Sequence, residues 1–293
     1  MVAIVLLYML VSMSITLLDK WILTDFSFNA PLTLIATTYF LMHVYSTLIR
    51  WRLRCKGLES DGHPLLQKLS RLQWLWKVVP VAAASGLEVG TSSVGLQGLK
   101  VGFHTMIRAT VPIFVLIFSV ALGLQTMRLG LCVVVVMVSA GVALLAAGEH
   151  NELSTFPRVS FGLTLLSCVL SGLKWTLSQV LLQGRELKGI EGYAVAGAEE
   201  INPLTLLHYM SLSSSATLVP FVCGLELGSL RTMARDFSLA RLMQAGGLFM
   251  ACSLLALLLV LLEFSFIKRV SSLSLCIVSV VKVCASFVFR YFV

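Results

Sequence analysis

The sequence predicts an all-α membrane protein, a bundle of apolar helices, and three observations carry that prediction. Apolar residues make up 58% of the 293 residues and charged residues only 12%, whereas a soluble domain carries about 25% charged residues. The mean hydropathy is +0.93. Apolar runs of about 20 residues, enough to cross a bilayer as a helix, recur along the chain. One transmembrane domain over residues 1–293 is therefore expected, not several domains. The net charge of +8 is not gathered into a solvated basic domain. Nucleic acid is excluded as a partner on that ground, and the lipid bilayer is the surface the chain meets.

Nine spans are expected, in order. The first runs from Met1 to about Leu18 and ends at Asp19-Lys20-Trp21. Its start lacks a basic segment, so it reads as a span and not as a cleaved signal. The second covers about Pro31 to Ile49, followed by a charged loop from Arg50 to Lys77. The third, about Val78 to Leu99, contains Glu88, and a short link leads to the fourth, Val101 to Gly123. The fifth, about Leu129 to Ala147, is almost purely apolar and faces lipid or buttresses the bundle. The sixth (Phe161 to Gln183) holds Lys174; the seventh, eighth and ninth start near Leu204, Leu242 and Ser271 and end near Cys223, Ile267 and Phe289.

Lysine and arginine in the loops set the orientation. The loops on the side of Arg50–Lys77 carry twelve, counting Arg128, Arg185, Lys188, Lys268 and Arg269, against six on the other side. The N-terminus and the basic loop are thus expected in the cytosol. The six cysteines inside apolar runs, none in a CxxC pair, read as small packing residues rather than disulfides or metal ligands.

The informative residues are polar ones inside the spans. In the fourth span His104 and Arg108 stand one helical turn apart on one face. An arginine at membrane depth costs at least about 2.5–3.5 kcal/mol, which is offset by a watery cavity, an ion pair or snorkelling. Pro112 removes a backbone donor nearby and is expected to bend this helix. Ser85, Glu88 and Ser92 share a face of the third span; Ser167, Ser171, Lys174 and Ser178 form a stripe on the sixth. His208, Ser211 and Ser215 align on the seventh, and Ser272, Ser279, Lys282 and Ser286 on the ninth. Small residues also let helices pack closely, which is how Gly86 and Gly90 are read. Arg108, Lys174 and Lys282 outnumber the acids at depth, and Glu88 is expected to neutralise only one of them directly. That cation excess suits an anionic solute bearing phosphate, which arginine grips as a fork and lysine as a point charge. Trp175 either stacks on a base or sugar or packs as an interfacial anchor. Metal-binding, nucleotide-cradling and nucleophile motifs are missing from the sequence, so no catalytic residues, metal or cofactor are expected and the chain does not read as an enzyme.

Five stretches extend this reading: LLDKWILTDFSF, ASGLEVGTSS, HTMIRATVPIFVLIFS, SGLKWTLSQVLLQ and EFSFIKRVSSLSLCIVSVVKV. They resemble the nucleotide-sugar and triose-phosphate transporter family of the drug/metabolite transporter superfamily. The likeness is strongest to its GDP-fucose-transporter-like branch, solute carrier family 35 subfamily C. Arg108 stands where that family usually has lysine. The resemblance implies a drug/metabolite transporter fold of two inverted five-helix repeats around a central cavity. Here repeat one would cover about 1–148 and repeat two about 160–293, with nine spans and the tenth missing. It further implies that Arg108 and Lys282 hold related positions in the two halves. Together with the polar faces above, Arg108, Lys282, Lys174, His104, Trp175, Ser272 and Ser279 are expected to bind substrate and Glu88 to balance charge. The function it implies is exchange of a nucleotide sugar, a GDP-sugar first, for a nucleoside monophosphate across a Golgi or endoplasmic reticulum membrane. Two alternatives stand beside it: a phosphorylated-metabolite/phosphate antiporter, and a regulatory membrane protein that does not itself transport. Homodimerisation is left open.

Overall fold

The computed structural model describes residues 2–24, 30–56, 71–99, 101–125, 158–183, 202–236 and 239–279, with scattered residues between 133 and 141. Every regular element among them is helical. In chain order they are α1 (Val2–Thr24), α2 (Pro31–Cys55), α3 (Arg71–Gln97), α4 (Val101–Arg108) and α5 (Val111–Ala121). There follow α6 (Arg158–Gln183), α7 (Pro203–Phe221), a π-turn (Val222–Glu226), α8 (Leu227–Asp236), α9 (Leu239–Arg269) and α10 (272–279). Four described helical stretches are long and apolar enough to cross a membrane: Pro31–Cys55, Arg158–Gln183, Pro203–Met233 and Met243–Arg269.

Three boundaries depart from expectation. The charged loop is shorter than Arg50–Lys77, because α2 runs on to Cys55 and α3 already starts at Arg71. Neither RWRLRC nor RLQWLWK contains a helix breaker, so charge alone does not end the helices. The seventh span continues past Cys223, through the π-turn into α8. The fourth is two helices, α4 and α5, parted at Ala109-Thr110. Pro112 explains that break: it offers no N–H to the Arg108 carbonyl, and it sits in the first turn of α5, where no such donor is needed. The backbone tightens across the gap, with Ala109 N donating to Met106 O at 3.1 Å and Thr110 N to Ile107 O at 3.0 Å. Of the expected fifth span, Val133, Val136 and Met137 are described, helical and more than half exposed, as a lipid-facing surface requires.

The chain divides into two compact units, Met1–Gly86 with Ile201–Phe266, and Leu87–Glu200 with Ile267–Val293. In the first, α2 and α7 pack through their polar faces. His43 and His208 stack with centroids 4.4 Å apart, and Ser215 donates to the Ala36 carbonyl at 3.1 Å. Gly86 serves close packing: a Cβ there would lie 1.7 Å from Thr217 Oγ1. The start of α2 has Ala30 as its N-cap, which offers no side-chain acceptor. Glu226 of the π-turn supplies one, accepting from Leu32 N, Thr33 N and Thr33 Oγ1, each at 2.7 Å. A carboxylate on two orphan amides of a helix start is favourable by hydrogen bonding and by the helix dipole.

The second unit is built on α4, α5, α6 and α10. Phe103, Ile107, Val111, Val115, Cys168, Leu273 and Cys276 form its apolar core. Gly172 lets α6 approach α5, since a Cβ there would stand 2.6 Å from Phe114 Cβ. The start of α10 is fixed by Gln179, whose Oε1 accepts from Ser272 N at 2.9 Å and Ser272 Oγ at 2.6 Å. Gln183 adds a bond from Nε2 to the Ile267 carbonyl at 2.8 Å.

Candidate functional site

Within the second unit three helices each deliver one charge to one place. Glu88 comes from α3, Arg108 is the last residue of α4, and Lys174 lies mid-way along α6. Arg108 Nη2 donates to Glu88 Oε1 at 2.7 Å, and Lys174 Nζ to Glu88 Oε2 at 2.5 Å. Glu88 thus bonds both cations directly, although its single negative charge offsets only one of them. A carboxylate has two oxygens, and each takes a different cation. The triad carries a net charge of +1, the sum of two cations and one carboxylate.

The serines on the same faces complete the cluster. Ser92, one turn after Glu88, receives a bond from Arg108 Nη1 at 2.7 Å and lies 3.1 Å from His104 Nε2. Ser171, one turn before Lys174, is a further hydrogen-bond partner of the Glu88 carboxylate. A buried ion pair survives only when such bonds satisfy its remaining valences. The Lys174 ammonium also stands 4.4 Å from the centroid of the Trp175 ring, a cation–π contact. Exposure is graded across the triad: the side chains of Glu88, Lys174 and Arg108 are 3%, 13% and 37% exposed. The positive end thus faces outward, with the carboxylate behind it.

Of the residues expected in the site, Arg108, Lys174, His104 and Glu88 are brought together, and Trp175 joins through Lys174. Ser272 is engaged elsewhere, as the hydroxyl partner of Gln179. Ser279 lies half-buried on α10, and Lys282 lies outside the described residues. Ser92 and Ser171 belong to the cluster as well. Their signal was present in the sequence, since each stands three or four residues from a charged group and so on its face.

The chain matches the Triose-phosphate Transporter family over residues 1–291. It is 31% identical over 171 residues to a probable sugar phosphate/phosphate translocator of Arabidopsis thaliana, covering 58% of this chain and 39% of that protein. A second Arabidopsis protein of the same description is 26% identical over 269 residues, 90% of this chain and 66% of the relative. A candidate nucleotide-sugar transporter of Saccharomyces cerevisiae is 29% identical over 161 residues, 52% of this chain and 34% of that protein. The chain thus spans between about a third and two thirds of the length of these relatives. With a match that takes in nearly all of its residues, the chain belongs to the Triose-phosphate Transporter family, a family of membrane transporters and not of enzymes.

Proposed function

We propose that this chain carries a phosphorylated sugar across a membrane in exchange for another phosphate-bearing anion, with Arg108 and Lys174 receiving the phosphate. The observation that supports this reading best is the outward-facing pair of cations on Glu88. It is a positive place inside an apolar bundle, with a guanidinium fork and an ammonium within reach of one anion. The names of the Arabidopsis relatives agree with a sugar phosphate and phosphate as the exchanged pair. On this reading Lys282 supplies a third cation, His104 orients Arg108 through Ser92, and two inverted repeats, about 1–148 and 160–293, rock around the site.

Exchange of a nucleotide sugar, such as a GDP-sugar, for a nucleoside monophosphate in a Golgi or endoplasmic reticulum membrane is the second reading. The yeast relative's name and the likeness to the GDP-fucose-transporter-like branch favour it. Base stacking on Trp175 would serve that reading, but the ring already holds the Lys174 ammonium. The sugar phosphate is therefore put first.

Reconstitution into vesicles preloaded with phosphate or with a nucleoside monophosphate separates the two. Uptake of labelled sugar phosphates driven by internal phosphate is expected, and Arg108→Ala should lower it at least about 100-fold. Uptake of nucleotide sugars alone would reverse the order of the readings. No exchange of either kind would favour the regulatory role. The basic loop is proposed to face the cytosol, and a cysteine introduced at Ser60 should label from that side; labelling only from the lumenal side would invert the orientation.

A further inference from the structure

Two cations that grip one internal anion are unavailable to a solute until that anion lets go. We propose that Glu88 is a built-in competitor of the transported anion: its carboxylate holds Arg108 and Lys174 in the solute-free protein, and the solute's phosphate takes them over on binding. This rests on the reading of Arg108 and Lys174 as the phosphate ligands.

Three features of the cluster support a takeover and not a permanent bridge. The first is spacing. Arg108 and Lys174 lie 2.7 and 2.5 Å from the two oxygens of one carboxylate. They are thus already set apart by the width of a small oxyanion, and two oxygens of a phosphate group can span the same pair. The second is access. The guanidinium of Arg108 is the most exposed member and Glu88 the least, so an anion arriving from the open side meets the cations before the carboxylate. Arginine has five N–H donors; among the described residues Arg108 places one on Ser92 and one on Glu88. Its other donors have no bond among the described residues and can serve an incoming oxygen. The third is the alternative. If Glu88 were a neutral residue, the two cations of the empty site would stand side by side with no carboxylate between them. With Glu88 present, one anion replaces another and the cations stay aimed at the same place throughout. Ser171 remains beside the released carboxylate as a hydrogen-bond partner.

The consequence is an affinity held below what two cations alone would give, with preference for the anion carrying more charge. A phosphate dianion outcompetes a carboxylate; a monoanion of similar shape does not.

The test is equilibrium binding of radiolabelled inorganic phosphate to the purified full chain in lipid nanodiscs, comparing wild type, Glu88→Gln, Glu88→Asp and Arg108→Gln. Removing the competitor should tighten phosphate binding at least ten-fold in Glu88→Gln. Glu88→Asp, one methylene shorter and so drawn back from the two cations, should lie between it and wild type. It also supplies the comparison if Glu88→Gln does not fold. Arg108→Gln should bind at least ten-fold more weakly than wild type. Glutamine or aspartate variants that fold and bind phosphate no better than wild type would overturn the competitor role while leaving the phosphate reading in place. Equal binding by wild type and Arg108→Gln would overturn that reading itself, and with it this inference.

Discussion

Glu88 and Glu226 are buried to the same degree, 2% and 3% exposed, yet they are satisfied by opposite means. Glu226 accepts from the amides of Leu32 and Thr33 and from the Thr33 hydroxyl, groups fixed by the first turn of α2. Glu88 accepts from the ends of two long side chains, Arg108 and Lys174, that can reach elsewhere. A backbone amide at a helix start has no other partner to turn to, so the Glu226 bonds are architecture. On the proposed function the tips of Arg108 and Lys174 are shared with an anion from solution, so the Glu88 bonds would exchange. Burial alone does not tell the two carboxylates apart; the kind of donor each accepts from, backbone amide or long side chain, does.

The comparison can be broken by mutation, and the largest effect is expected at the brace. Glu226→Ala strands two amides and a hydroxyl and should cost about 3–4 kcal/mol, read as a large drop in the unfolding midpoint in detergent. The fraction that still folds should bind phosphate normally. A loss below about 1 kcal/mol would make Glu226 as expendable as a surface acid. Lys174→Ala should cost less, about 2 kcal/mol, because Arg108 still covers one oxygen of Glu88. Phosphate binding should fall with it; unchanged phosphate affinity at lowered stability would make Lys174 a second brace. Arg108→Ala should cost only about 1 kcal/mol, since its side chain is 37% exposed and water replaces much of what is lost. Its effect belongs to binding, and a stability loss larger than that of Lys174→Ala would reverse the assignment of the two cations. Smallest of all, Ser92→Ala removes a hydroxyl shared by Arg108 and His104 and should cost under about 1 kcal/mol. It should raise the KM for uptake several-fold with kcat little changed, which tests whether Ser92 orients the guanidinium.

Much of the charged cluster was legible in the sequence, because one turn of helix is a short and reliable ruler. His104 and Arg108, Glu88 and Ser92, Ser171 and Lys174 each announce a common face by spacing alone. Pro112 likewise announces the interruption after Arg108, through a missing donor. What spacing cannot supply is pairing between helices. Glu226 meets Leu32 from 194 residues away, and nothing local in LELGS says that its acid will cap α2. The double use of Glu88 was missed for the same reason, as it depends on two other helices approaching from different sides. The stripe on the ninth span puts Ser272 among the expected solute ligands, while its pairing with Gln179 has no signal in the motif around Gln179. Charge density points to a loop at the end of α2 and the start of α3, where the chain is helical. Arginines spaced along RWRLRC are good helix formers.

The interruption at Ala109-Thr110 has a mechanical consequence. A continuous helix is stiff along its whole length because every turn is tied to the next by parallel hydrogen bonds. In this span Pro112 removes one of those ties, and the bonds across Ala109-Thr110 run to the third residue back, so the regular ladder changes at one place. Arg108 is the tip of the short arm α4, only 8 residues long. Phe103 and Ile107 on that arm rest on apolar neighbours, contacts that tolerate a small tilt better than hydrogen bonds do. A rotation at this joint would carry the guanidinium with the short arm, while α5 has its own seat on α6. The longer arm is wedged against Gly172 by Phe114, so such a rotation would find its support there.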